Sequence, residues 1–96
     1  MALLTDVEVA RELAGLPGWR RAGEALEREF TFDGFPEAIA FVQRLVPGAE
    51  SAGHHPDLTI HYRRVTVSFT THDEGGLTQK DIDGARLADR HVEPGT

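Results

Sequence analysis

The stretch Leu58-Thr-Ile-His-Tyr62-Arg-Arg-Val65-Thr-Val-Ser-Phe69 decides the fold class. Leu58, Ile60 and Tyr62 alternate with Asp57, Thr59 and His61, and Val65, Val67 and Phe69 alternate with Thr66, Ser68 and Thr70. Successive side chains on a strand point to opposite faces, so a period of two marks extended chain with one apolar side. The stretch reads as two strands meeting near Arg63-Arg64, or as one long bent strand, in a sheet with one buried face. Towards the N-terminus, Trp19 to Phe32 repeats the pattern. Two extended pieces flank a turn at Ala22-Gly23-Glu24. In the second piece Leu26, Arg28, Phe30 and Phe32 alternate with Glu27, Glu29 and Thr31.

Helical segments flank and separate these strands. Thr5-Asp-Val-Glu8 has capping-box form and opens a helix over about Asp6 to Ala14, ended by Gly15-Leu-Pro-Gly18. Asp33-Gly34-Phe35-Pro36 opens a second, with Pro36 at the first helical position, where its missing N–H breaks no bond. Ile39, Phe41, Val42, Leu45 and Val46 give that helix a broad apolar face, and Pro47-Gly48 is expected to stop it. Glu74-Gly75-Gly76 reads as a turn. Thr78-Gln-Lys-Asp81 repeats the capping-box form before a last helix carrying Ile82, Ala85, Ala88 and Val92 along one stripe. The order is α-β-β-α-β-β-α. It predicts an α+β domain, a four-stranded antiparallel sheet with helices on one face.

At 96 residues the chain reads as one domain over 1–96, long enough for a single core. It has no cysteine, which excludes a disulfide framework and a thiolate metal site. The opening Met1-Ala-Leu-Leu-Thr-Asp has neither a basic segment nor an apolar run of signal length, and no run approaches transmembrane length, so a soluble cytoplasmic protein with no membrane association is expected. The formal net charge is −6, and Arg20-Arg21 and Arg63-Arg64 are the only adjacent basic pairs. Direct nucleic-acid binding, which calls for a basic patch or stripe, is not expected.

The polar residues concentrate between Glu50 and Asp81. In His54-His55-Pro56 the residue before proline is pushed towards extended geometry, so adjacent imidazoles point to opposite sides. One then faces a cleft while the other braces it, or both line a curved pocket edge. By itself the pair also suits a solvated loop. His72 falls at the end of the second strand, after Thr71, on the side of Thr66, Ser68 and Thr70; alone, it suits a structural or exposed role. Asp81 is placed to accept the Thr78 backbone N–H as a helix cap, which leaves a role in positioning the site open. Glu50 reads as a solvated residue after the second helix, His61 and His91 as surface residues, and Trp19 and Tyr62 as core or strand-packing aromatics. Imidazoles with carboxylates can also bind zinc or iron. The spacing matches neither His-Glu-x-x-His nor a closed structural zinc pattern, and no metal is expected.

Written out, the spacing is Glu50-x3-His54-His55-Pro56-x5-Tyr62-x9-His72-x8-Asp81. It resembles the signature of the pterin-4a-carbinolamine dehydratases, also called 4a-hydroxytetrahydrobiopterin dehydratases. The likeness extends over nearly the whole chain, through Trp19, Phe30-Thr-Phe32-Asp-Gly-Phe35, Phe41-Val42, Ala49-Glu50, Thr71-His72-Asp73 and Gly76-Leu77-Thr78. The resemblance implies the same α+β fold. It also implies dehydration of a 4a-hydroxytetrahydropterin to a quinonoid dihydropterin and water, recycling the pterin of an aromatic amino-acid hydroxylase. His54 and His72 would be the general acid/base pair and His55 would bind and orient the pterin. Glu50 and Asp81 would support those imidazoles, and Pro56 would lie at the substrate. The reaction involves no redox change, so no cofactor is expected. Several relatives carry Trp two residues after the proline, where this chain has Leu58, which removes any argument for aromatic stacking there. The resemblance further implies a homodimer or homotetramer. Its alternative is a non-catalytic module of the same fold, serving as a dimerisation or transcriptional cofactor or in the assembly of another enzyme.

Overall fold

The computed structural model describes residues 3–92; residues 1–2 and 93–96 of the expected domain lie outside the described residues. The first helix, α1 (Asp6–Leu13), starts where its sequence signal lies: the Thr5 hydroxyl accepts the Glu8 N–H at 3.1 Å and the Glu8 carboxylate accepts the Thr5 N–H at 2.8 Å. That Thr5 N–H holds the Glu8 carboxyl below the usual carboxylate range.

Strands β1 (Arg20–Ala22), β2 (Ala25–Thr31), β3 (Asp57–His61) and β4 (Arg64–Phe69) form one antiparallel sheet in the order β1-β2-β4-β3. The register sets Leu26 opposite Phe69, Phe30 opposite Val65, Leu58 opposite Val67 and Ile60 opposite Val65. Directly paired residues share a face, so these side chains line one side of the sheet. Helices α2 (Phe35–Ala52) and α3 (Gln79–Arg90) pack against that side. The other side carries Glu27, Glu29, Thr66 and Ser68. Phe41 of α2 is fully buried, with its ring 4.8 Å from Phe30 and 5.0 Å from Phe32. Burying a side chain of this size contributes roughly 1.5–3 kcal/mol.

Arg28 lies on the buried side between Leu26 and Phe30. Its guanidinium stacks 4.4 Å above the Phe30 ring and donates to Asp89 of α3 at 2.8 Å, and the same Asp89 oxygen accepts the Trp19 indole N–H at 2.9 Å. A charged group is thereby paired where the sheet meets α3.

Four expectations need correction. Pro47-Gly48 does not end the second helix, which continues to Ala52 and places Glu50 inside it. Proline in a helix interior costs about 3 kcal/mol by losing the bond to the carbonyl four residues back. Here Pro47 is on the exposed side, where water can replace the lost donor. Leu45 and Ala49, on either side of it, are buried and carry the helix through. The stop comes at Gly53, in the left-handed region at φ 62, ψ 30, whose N–H reaches the Ala49 and Glu50 carbonyls.

The apolar side of β3 is only partly covered: as an edge strand it leaves Leu58 and Ile60 exposed. Tyr62 is not a packing aromatic. It sits at φ 57 in the two-residue turn that joins β3 to β4, making them two strands, and is 67% exposed. Finally, β4 ends at Phe69 and His72 opens a 3₁₀ turn (His72–Glu74), so strand alternation does not orient His72.

Gly84 in α3 lets the helix lie directly on the sheet, since a Cβ there would come within 2.6 Å of the Phe69 ring. Gly84→Ala is expected to destabilise the fold by about 1–3 kcal/mol, the usual overpacking penalty. Denaturant unfolding measures this.

Candidate active site

The site is assembled where the end of α2, the segment after β4 and the start of α3 meet. Gly53 turns the chain out of α2, and His54 is anchored at once by its backbone N–H, which donates to the Ala49 carbonyl at 3.2 Å. The His54 ring lies 5.8 Å from the Phe69 ring with the planes 21° apart. Its Nε2 is 2.7 Å from Asp81 Oδ1, and the side chain is only 12% exposed.

Asp81 is the third residue of α3 and is fully buried. Its Oδ2 accepts the Thr78 backbone N–H at 2.9 Å, the expected capping bond, and also the Thr71 hydroxyl at 2.8 Å. Oδ1 faces His54. Capping and contact with the imidazole are thus performed by different oxygens of one carboxylate, and three hydrogen bonds offset the burial of a charge.

His55 takes a different carboxylate partner from its neighbour. Its Nε2 meets Glu50 Oε2 at 2.5 Å, and both side chains are well exposed. The longer α2 is what brings Glu50 into reach, one turn before the bend at Gly53. His54, His55 and His72 line one open cleft of about 260 Å³, together with Gly53, Thr70, Thr71, Asp73 and Lys80. A larger groove of about 440 Å³ between α2 and α3 shares His54 and Lys80 with it. Pro56 and Leu58 do not line the three-histidine cleft. They flank a separate apolar hollow of about 180 Å³ that also holds Glu50 and His55. His61 is exposed and accepts from Arg64 at 3.0 Å, and His91 caps the end of α3. Among the described residues, no three His, Asp or Glu side chains converge as metal ligands.

Two residues of the site were not singled out in the sequence. Thr71 carried a usable signal: it continues the alternation Val65, Val67, Phe69 on the buried side, and a buried hydroxyl needs partners. Lys80 carried none, since an exposed lysine in a first helical turn is ordinary. The cleft can therefore present one imidazole held by a buried carboxylate, one held by an exposed carboxylate and one unrestrained, all near a cation. Such a set can give and take protons at two points of a ligand at neutral pH.

The sequence profile of a family described as "Pterin 4 alpha carbinolamine dehydratase" matches residues 2–91. A protein of Thermosynechococcus vestitus named "Putative pterin-4-alpha-carbinolamine dehydratase" is 57% identical over 84 residues, covering 88% of each chain. One of the same name from Mycobacteroides abscessus is 49% identical over 92 residues, covering 96% of this chain and 98% of its own. Among solved structures, a transcriptional coactivator/pterin dehydratase from Brucella melitensis superimposes with a TM-score of 0.91 at 35% identity, covering 96% of this chain and 100% of its own. A pterin dehydratase-like protein identified as a RuBisCO assembly factor in the alpha-carboxysome shares the fold at a TM-score of 0.64 and 21% identity, covering 80% and 93%.

Proposed function

The chain belongs to the pterin-4a-carbinolamine dehydratase family, and on that premise we propose that it dehydrates a 4a-hydroxytetrahydropterin to the quinonoid dihydropterin by histidine acid/base catalysis. The observation that carries the reading is the convergence of His54, His55 and His72 on one cleft, with His54 tied to a fully buried carboxylate. The chemistry calls for such a set. Hydroxide is a poor leaving group, so an acid must protonate the departing C4a oxygen. The N5 proton must leave as the C=N bond forms. Imidazole suits both tasks at neutral pH, and each transfer contributes about 10²–10⁴-fold in rate.

In this reading His54 and His72 share the two proton transfers. His55, steadied by Glu50, binds and orients the pterin, and Asp81 holds His54. The quinonoid product, once reduced by two electrons to the tetrahydropterin in a separate reductase-class reaction, serves an aromatic amino-acid hydroxylase again as its cofactor. No redox step occurs, and the proposal needs no metal: protein treated with a chelator is expected to accelerate the dehydration as fast as untreated protein. Loss of the rate on chelation, restored by zinc or iron, would overturn the metal-free mechanism.

The exposed Val46, Leu58 and Ile60 support self-association into a dimer or tetramer. The same surface gives the non-catalytic reading its support, with the Brucella melitensis relative named both coactivator and dehydratase. The chelated-protein assay separates them, because a partner module has no turnover. Among the described residues no helix is long and apolar enough to cross a membrane.

A further inference from the structure

We infer that Thr71 is a positioning residue for His54, and that Nδ1 of His54 is the atom that exchanges a proton with the substrate; the inference rests on the dehydratase reading and extends it. Thr71 Oγ1 donates to Asp81 Oδ2 at 2.8 Å and lies 2.9 Å from Thr78 Oγ1. A hydroxyl has one proton, and that of Thr71 goes to the carboxylate. The Thr78 hydroxyl therefore donates to Thr71, while its own oxygen accepts the Lys80 N–H at 3.2 Å. The result is a directed chain, from Thr78 to Thr71 to Asp81, buried throughout.

This chain locks the carboxylate. Oδ2 holds the Thr71 hydroxyl and the Thr78 N–H, so Asp81 cannot turn without breaking both bonds. Its Oδ1 is then aimed at His54. A carboxylate only accepts, so the nitrogen 2.7 Å from it is N–H. In the neutral ring the lone pair is consequently on Nδ1. That nitrogen has no hydrogen-bond partner, yet no buried side-chain nitrogen or oxygen among the described residues lacks one. Nδ1 is therefore open to solvent, on the ring that lines the three-histidine cleft. The Phe69 ring, stacked at 21°, fixes the plane in which it points.

The proton count agrees. In the dehydration the C4a–O bond breaks with its electron pair on oxygen, which takes one proton and leaves as water. The N5–H proton departs and its electron pair forms the N5=C4a bond. Nδ1 can serve either transfer while the Nε2 proton stays on the Asp81 side, so nothing is oxidised or reduced and the ring returns to its starting state by exchange with solvent.

Nitrogen-15 NMR of labelled protein, at a pH where His54 is neutral, reads the tautomer directly. In the wild type Nδ1 is expected to resonate as an unprotonated nitrogen and Nε2 as a protonated one. Thr71→Val keeps the shape and removes the hydroxyl. It is expected to introduce the opposite tautomer and to lower kcat by about 10–100-fold, the usual effect of removing a group that orients a working ligand, with KM little changed. Thr71→Ser is expected to restore both. A wild-type ring protonated on Nδ1 overturns the assignment, whether or not Thr71→Val folds. So does a Thr71→Val protein with wild-type tautomer and kcat, or a folded Thr71→Ser protein as slow as Thr71→Val. A wild type with the expected tautomer and no dehydration would uphold the Thr71–Asp81–His54 network and overturn the dehydratase reading instead.

Discussion

Replacing His54 or His72 by alanine is expected to slow dehydration by about 10²-fold or more each, the scale of losing a general acid or base. The stability effects separate the two residues. His72 is exposed at the start of a 3₁₀ turn and its side chain bonds to no other residue among those described, so His72→Ala should stay within about 0.5 kcal/mol of wild type. His54 is different. It supplies one of three donors to a fully buried carboxylate, and its removal leaves that oxygen wanting a partner. An unsatisfied buried group costs about 1–3 kcal/mol. His54→Ala should therefore lose stability as well as rate, and still be folded. Denaturant unfolding and initial rates on the same preparations check both. Full rate in either folded variant would remove that histidine from the proton-transfer pair.

Asp81→Asn is expected to have a comparable effect on rate through a different cause. The amide can still accept the Thr78 N–H and the Thr71 hydroxyl through its oxygen, which sets its NH2 group against His54 Nε2. Two donors cannot share that position, so Nε2 must become the acceptor and the neutral ring must carry its proton on Nδ1. The solvent-open ring nitrogen then carries an N–H where it had a lone pair. In serine proteases the corresponding Asp-to-Asn change, a worked example of wrong-tautomer loss, drops kcat by about 10⁴. A loss of about 10²-fold or more is expected here. The weakened cap adds a stability loss of about 0.5–2 kcal/mol. An unchanged rate in well-folded Asp81→Asn protein would leave capping as the only role of Asp81.

Much of this architecture is legible in the sequence because the signals are local. Thr5-x-x-Glu8 and Thr78-x-x-Asp81 mark helix starts that the structure places within a residue. Period-two alternation finds β2, β3 and β4. Where the reading fails, something non-local decides. Pro47 is a valid local stop, overridden by the packing of Leu45 and Ala49 on one side and of Gly48 against Leu87 on the other. Alternation in β3 marks an apolar side but cannot say that the strand is at the edge, so Leu58 and Ile60 read as core and emerge exposed. At the site, the divergence of His54 and His55 follows from their adjacency before Pro56. Asp81 is legible as a cap because the capping box is local. Its second contact is not: the partner is 27 positions away, and only the packing of α3 against α2 and β4 brings it near. Thr71 shows the middle case, with a visible register and an invisible partner.

Stopped-flow measurement of the loss of the 4a-hydroxytetrahydropterin, with substoichiometric protein, compares buffer, wild type and the doubly substituted His54→Ala, His72→Ala protein. Many turnovers by the wild type at a rate well above buffer are expected, with the folded double variant at the buffer rate. A wild type no faster than buffer, or a double variant as fast as the wild type, would rule out dehydration by the His54 and His72 pair.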